Sequence, residues 1–344
     1  MKNILISLYF IFCHSVIIGQ DLHYTNYDLS KHYFNPSMVG SFQGTIRVGG
    51  IYREQFRTFI NKPYSSALFF IESPISYGIK SNHWVGAGII AYQDRAGDLA
   101  LQNSGMIGAV SYHIGLDKKF KNVFSIGFQY GTIARRINPK NALFRDQFVK
   151  GTNVDLGLIT DYKENYTDYS IGTKFNRKLS TYSDFNFGIA MFHLAQPSIR
   201  FKNGTFDNTI HRRYNINASY GIDASQKISF TPAIYFSKYT NIYNSMVQVL
   251  MNYRIFDFSK KENSNNKNNV LDLQFGVGYR LKDAIQFLVV GNYNNWQVGA
   301  SYDLTISSAS AYNDFYGGFE IGVNKILNFP GKPKIDSKFY CPRF

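Results

Sequence analysis

Residues 270–281 read "VLDLQFGVGYRL". Leu271, Leu273, Phe275, Val277 and Tyr279 alternate there with Asp272, Gln274, Gly276, Gly278 and Arg280. Side chains of an extended chain point to opposite faces in turn, so the segment has one apolar face and one polar, glycine-rich face. The same period recurs in "NVFSIGFQYGT" (122–132), "KISFTPAIYFSK" (227–238) and "NWQVGASYDLTIS" (295–307). Segments of ~10 residues with this alternation match a tilted strand that crosses a bilayer. A soluble sandwich also alternates, but its strands are more often about 5–6 residues long. Aromatic residues near the segment ends, such as Tyr130, Tyr279 and Trp296, fit the girdles of a membrane barrel. Lipid tolerates no open sheet edge, so such a sheet must close. The reading is an all-β, transmembrane antiparallel β-barrel.

Composition agrees. The 344 residues include 30 Phe, 26 Tyr and 28 Gly, and 17% are charged, against about 25% in an ordinary soluble domain. A mildly negative mean hydropathy argues against a helical membrane protein. It does not argue against a barrel, where the polar lumen face offsets the lipid face.

Fifteen segments carry the pattern: 46–53, 64–73, 83–93, 103–114, 122–133, 152–162, 166–176, 184–193, 211–222, 227–238, 243–256, 270–280, 284–292, 295–306 and 314–326. Single-chain bacterial barrels have an even number of strands, so about 14 are expected, with the surplus inside 152–193. Pro232 cannot donate to a ladder and is expected to mark a bulge. The stretches 134–151, 194–210 and 258–269 are long and polar, and longer connections are expected on the external side.

Four regions follow. Residues 1–19 resemble a secretory signal peptide, with Lys2, an apolar core from Ile4 to Ile18, and cleavage after Gly19. Residues 20–43 form a leader that does not alternate. Its Tyr24, Tyr27, Tyr33, Phe34 and Phe42 favour a packed segment, either a plug or a periplasmic handle, because disordered segments are poor in aromatics. The barrel covers 44–327. A basic, proline-punctuated tail, 328–344, is expected on the periplasmic side, docking a partner or entering the lumen.

Catalytic patterns are not found. The seven histidines lack metal-ligand spacing, and removal of Cys13 with the signal leaves Cys341 as the sole cysteine. "VGAGII" lacks the third glycine of a nucleotide-binding loop. No cofactor, metal or nucleic-acid partner is expected. The net charge of +14 suits anionic partners, among them outer-membrane lipid or lipopolysaccharide.

The leader and first strands resemble the PorP/SprF family of type IX secretion outer-membrane proteins of Bacteroidetes. The resemblance lies in Gln20, Asp21, His23, Tyr27, Asn35, Pro36 and Gly40, then Arg47, Tyr52, Arg53 and Gln55, then Pro63-Tyr64. It continues in "MFHLAQPSI" (191–199), in "VGASYDLTISS" (298–308), in Gly317, Gly318 and Glu320 of "GGFEI", and in the terminal Cys341-Pro342-Arg343-Phe344. Phe56 fills the place where the family usually has Trp or another bulky aromatic, and 162–183 looks longer than usual.

The resemblance implies a non-enzymatic barrel that helps secrete or anchor a large cell-surface adhesin, including those of gliding motility, by its C-terminal domain. It also implies contacts with periplasmic secretion or peptidoglycan-binding components, and marks the motif residues as candidates for partner binding. The alternative is a porin-like or fatty-acid-channel-like transporter of a small solute. The lumen-face residues are mostly Gly, Ser, Thr and Gln with few charges, which favours a filled interior over a charged constriction.

Overall fold

The computed structural model describes residues 24–58, 62–76, 79–80, 82–97, 101–137, 162–200, 207–256 and 270–329. Fourteen antiparallel strands close into one barrel. In chain order they are β1 (Ile46–Gln55), β2 (Tyr64–Ile75), β3 (His83–Ala96), β4 (Leu101–Gly115), β5 (Asn122–Ile137), β6 (Tyr162–Lys178) and β7 (Ser183–Phe192), followed by β10 (Arg213–Asp223), β11 (Ile228–Tyr239), β12 (Ile242–Phe256), β13 (Val270–Arg280), β14 (Ala284–Tyr293), β15 (Trp296–Thr305) and β16 (Tyr316–Leu327). Two short strands, β8 (Ser198–Arg200) and β9 (Asp207–Thr209), form a separate hairpin between β7 and β10. Closure comes from β1 and β16, paired from Ile46↔Leu327 to Gln55↔Gly318.

The apolar faces read from the sequence point outward. Phe128, Phe275, Val277, Phe287 and Val298 are exposed, whereas Gln129, Gln274, Gln286 and Ser301 face inward and are buried. A soluble sandwich would bury the first set, so the membrane reading is the one this sheet obeys.

One expectation, about fourteen strands with the surplus inside 152–193, is met, and one is corrected. Segment 152–162 lies outside the described residues except for Tyr162, which belongs to β6. Because β5 pairs directly with β6, from Asn122↔Arg177 to Ile137↔Tyr162, the barrel closes at fourteen strands without it. Pro232 makes no bulge: the β10–β11 register is the same on both sides of it, and the ladder omits only Tyr220 opposite Pro232 and Gly221 opposite Thr231. The bulge occurs instead on β16, where Gly317 and Gly318 oppose the single Asp303 of β15, between Tyr302↔Phe319 and Leu304↔Tyr316.

Chain direction puts both ends of the barrel chain, Ile46 and Leu327, at one rim, here called the foot. Strands β2, β4, β6, β10, β12 and β14 also end there, while β5 and β7 end, and β6 and β10 begin, at the opposite rim, the head. β12 ends and β13 begins at the foot, and the stretch 258–269 lies outside the described residues. The signal segment and residues 330–344, with Cys341, Pro342, Arg343 and Phe344, lie outside the described residues.

Candidate functional site: the filled lumen

Residues 24–44 run inside the barrel and touch strands all round it. Helix α1 (Tyr27–Phe34) and a 3-10 turn (Pro36–Met38) are their regular parts. A helix this short cannot hold itself together in isolation. The wall satisfies its ends instead. At the start, the carboxylate of Glu320 accepts Thr25 N–H (2.9 Å) and Asn26 N–H (2.7 Å). Towards the end, Gln129 donates to His32 O (2.9 Å) and Asn215 donates to Phe34 O (3.1 Å). These are the groups a helix terminus leaves without intrahelical partners.

The first anchor is an ionic hub near the head. Arg53 places Nη2 at 2.6 Å from Asp303 and Nη1 at 3.2 Å from Glu320. Arg280 reaches Asp303 at 2.7 Å and Asp283 at 2.5 Å. Thr25 is the leader's contribution: its hydroxyl donates to Asp303 (2.8 Å) and accepts from Arg53 (2.9 Å), and Gln248 donates to its carbonyl (2.9 Å). Arg53, Arg280, Asp303 and Glu320 are buried, so two buried cations face two buried anions, which is what buried charge requires. The bulge that Gly317 and Gly318 make opposite Asp303 leaves no room for side chains there. A Cβ at Gly317 would lie 2.2 Å from Asp303 O, and one at Gly318 would lie 3.0 Å from Arg53 Nη2.

A second anchor lies near the foot. Arg47 pairs with Glu72 through both Nε and Nη2, and the other Glu72 oxygen accepts Gly40 N–H (2.7 Å). Trp84 donates to Gly40 O (3.0 Å), while Ser111 and His113 reach Val39 O at 2.5 and 2.8 Å. Because Val39 O can only accept, His113 donates from Nε2 and its Nδ1 faces Ser125 Oγ (2.7 Å). Gly40 has φ +66°, and a Cβ there would meet Gly86 Cα at 2.4 Å, so only glycine fits.

Between the anchors, Asn35 caps the 3-10 turn. Its Oδ1 accepts from Ser37 N (3.0 Å) and Ser37 Oγ (2.7 Å), and its Nδ2 donates to Thr173 O (3.1 Å). Pro36 follows at the first turn position, where its missing N–H costs nothing. Three wall glycines make room: Cβ atoms at Gly127, Gly172 and Gly188 would lie 2.3, 2.2 and 2.7 Å from Pro36 or Asn35 atoms. Between Tyr27, Met38 and the β10–β12 wall only about 30 Å³ remains, roughly the room of one water. Towards the foot a vestibule of about 1200 Å³ stays open, lined by Lys31, Phe42, Asn252, Gln274, Trp296 and Asn324 among others.

The motif residues therefore divide. Asn35, Pro36, Gly40, Arg47, Arg53, Gly317, Gly318 and Glu320 meet at the joint between leader and wall. Tyr52 faces outward and donates to Glu54 (2.8 Å). Gln55 ends β1 beside Tyr64, whose ring packs on Phe56 at 5.6 Å, and Pro63 precedes it. Sequence reading did not single out Thr25, Glu72, Arg280 or Asp303. The only signal of Glu72, Arg280 and Asp303 was charge on lumen-side positions of otherwise neutral strands, and Thr25, neutral and in the leader, gave none. Among the described residues no group of His, Cys, Asp and Glu is arranged to hold a metal.

The profile of the type IX secretion system membrane protein PorP/SprF matches residues 16–324. No curated protein matches the chain. Solved structures of similar fold include the toluene transporter TbuX of Ralstonia pickettii, at 9% identity and TM-score 0.47 over 87% of this chain and 94% of that one. The toluene transporter TodX of P. putida matches at 8% and 0.45 over 86% and 93%. BamA from Haemophilus ducreyi lacking POTRA domains 1–3 matches at 9% and 0.42 over 82% and 70%. At these scores the likeness carries nothing about ligand or activity.

Proposed function

The chain belongs to the PorP/SprF family of type IX secretion system membrane proteins, and we propose that it is a non-enzymatic barrel that helps secrete or anchor a large cell-surface adhesin by binding the adhesin's C-terminal domain. It resides in the outer membrane. Short turns face the periplasm in such barrels, so the foot is periplasmic and the head extracellular.

The filled lumen carries this reading. A diffusion pore needs a water path past its constriction, whereas here a packed segment with buried ionic anchors at two levels crosses the interior. A barrel that keeps its lumen occupied acts through its surfaces. The head supplies a surface of suitable kind in the 306–315 connection. Tyr312 and Phe315 are strongly exposed there, with Asp314 and Phe315 held at positive φ. Buried Asn313 fixes this loop through Tyr316 O (2.5 Å) and Thr305 Oγ1 (3.2 Å). Exposed aromatics on a fixed backbone suit protein docking.

Purification of the native protein from outer membranes, with mass spectrometry of what accompanies it, tests the proposal. The expected result is a large secreted protein present in near-equal amount through its C-terminal domain, and lost from a Tyr312→Ala, Phe315→Ala variant. A barrel recovered alone that conducts ions in planar bilayers would overturn the proposal in favour of a solute transporter.

A further inference from the structure

A second surface lies at the foot, where three neighbouring turns and strand ends bring cations together. The β4–β5 turn reads Leu116-Asp117-Lys118-Lys119-Phe120-Lys121. Its backbone is fixed from within: the Asp117 carboxylate accepts the N–H groups of Lys119 (2.9 Å), Lys121 (3.0 Å) and Asn122 (2.7 Å), and the Asn122 amide (3.0 Å). Phe120 is buried with Trp84 and Val123. The three lysine side chains are left exposed.

The neighbours add to them. Lys178 N donates to Lys121 O (2.7 Å), and Arg177 pairs with Asn122 across the ladder. On the other side, Gly115 N donates to Asn82 O and His83 N to Lys80 O, both at 2.8 Å, which sets the β2–β3 turn alongside. Lys80, Lys118, Lys119, Lys121 and Arg177 are all exposed, and no ion pair engages any of them among the described residues. The one carboxylate in the turn, Asp117, has its oxygens occupied by N–H groups.

The direction of Arg177 identifies the partner. Along β6 it shares the outward face with Tyr169, Ile171 and Leu179, so it continues the lipid-facing file of that strand. Ile75, Leu116 and Leu179 stand exposed at the same rim. An acidic protein in the periplasm would meet the turn from below and leave an outward Arg between apolar side chains unexplained. A phospholipid satisfies both, with its phosphate on the cations and its chains along the leucines. Elsewhere at the foot the exposed outward positions include Ile222, Tyr253, Ile255, Tyr293 and Trp296, with Lys325 held over the Trp296 ring at 4.4 Å.

We propose that the β4–β5 turn and the foot of β6, with Lys80 beside them, form a binding site for the headgroups of anionic phospholipids in the periplasmic leaflet, with Arg177 and Lys118, Lys119 and Lys121 as its phosphate ligands. Arg suits the lipid-side position because its planar fork bonds phosphate oxygens in pairs. The site occupies one sector of the rim, so it fixes which side of the barrel faces anionic lipid.

The full-length protein in detergent, titrated with phosphatidylglycerol or phosphatidylcholine and read by native mass spectrometry, tests this. The wild type is expected to prefer phosphatidylglycerol. The Lys118→Gln, Lys119→Gln, Lys121→Gln, Arg177→Gln variant should lose the preference, at roughly fivefold per cation removed. A variant neutralising exposed cations at the head (Arg57→Gln, Arg95→Gln, Lys282→Gln) should keep it. Heat-modifiable mobility on gels verifies that each variant is a closed barrel. Equal binding of the two lipids by the wild type, or an undiminished preference in the fourfold variant, would overturn the site. So would a fourfold variant that keeps lipid binding but loses an acidic periplasmic protein from native purifications.

Discussion

Thr25 and Glu320 stand 295 residues apart in the chain, yet the backbone N–H of one lies 2.9 Å from the carboxylate of the other. Glu320 belongs to the last strand and Arg53, its ionic partner, to the first. The hub thus joins the leader to the seam where the barrel closes. Seating the leader and closing the sheet share one set of bonds.

Glu320→Gln keeps the shape of the side chain but removes its charge and one of its two acceptor oxygens. One leader N–H loses its partner and Arg53 loses an anion. Breaking a buried pair from one side costs on the order of 3–5 kcal/mol, and the loss should fall on the leader. Amide exchange over residues 25–34 is expected to accelerate strongly while β5 and β13 stay protected. Unchanged exchange in the leader would show that the hub does not hold it.

Gly127→Val tests the fit between leader and wall. The added side chain would start 2.3 Å from Pro36 C, a separation no real contact shows. Position 127 is otherwise ordinary strand, so the barrel should still close. The leader should leave the lumen, and steady ion conductance should appear in planar bilayers where the wild type is silent. Gly108→Val is the control: it lies outward, and its nearest neighbour would be Tyr130 O at 3.8 Å. Conductance from the wild type equal to that of Gly127→Val would refute the seal.

What the sequence disclosed follows from what the bilayer demands. Phe275, Val277 and Phe128 must be apolar because they meet lipid, so the period-two pattern is plain in their strands. The upper part of β6 escaped the pattern for the converse reason. Its outward residues Lys163, Asn165 and Thr167 are polar and exposed, as expected of a strand that continues past the bilayer. The hub was hidden in another way. Thr25, Arg53, Arg280, Asp303 and Glu320 come from five separate segments, and nothing local distinguishes a charge with a buried partner from one in a wet lumen. Helix α1 was missed because its terminal hydrogen bonds are completed by residues such as Gln129 and Asn215, about 100 residues or more downstream.

Asp117 makes the cationic turn sensitive to acid. Its slight burial pushes its carboxyl up, but the N–H groups of Lys121, Asn122 and Lys119 outweigh that and hold it below the ordinary carboxylate range. A carboxyl lowered on folding stabilises the folded turn at all pH above its unfolded value. That contribution is lost as pH falls through the folded value. Protection of the Lys121 and Asn122 amides, corrected for intrinsic exchange, is therefore expected to hold at neutral pH and to fall in acid. Asp117→Asn should show weaker protection at neutral pH and no such acid step. An identical pH profile in the two proteins would remove Asp117 from the account.

Val289 tests the placement of the membrane. It sits at the middle of β14, outward and half-exposed, with Phe275 and Ala300 as its cross-strand neighbours. Arg at the bilayer midplane costs a barrel about 2–4 kcal/mol, against about 0–1 near the interface. Val289→Arg should therefore lower unfolding free energy in lipid vesicles by the larger amount. Trp296→Arg, at the foot end of β15, should lie near the smaller one plus whatever its ring contributes beside Lys325. Measured in urea with vesicles of one composition, the difference between the two variants reports depth directly. If Val289→Arg costs no more than Trp296→Arg, the apolar band does not centre on the middle of β14, and the lipid headgroup level assigned to Arg177 would move with it.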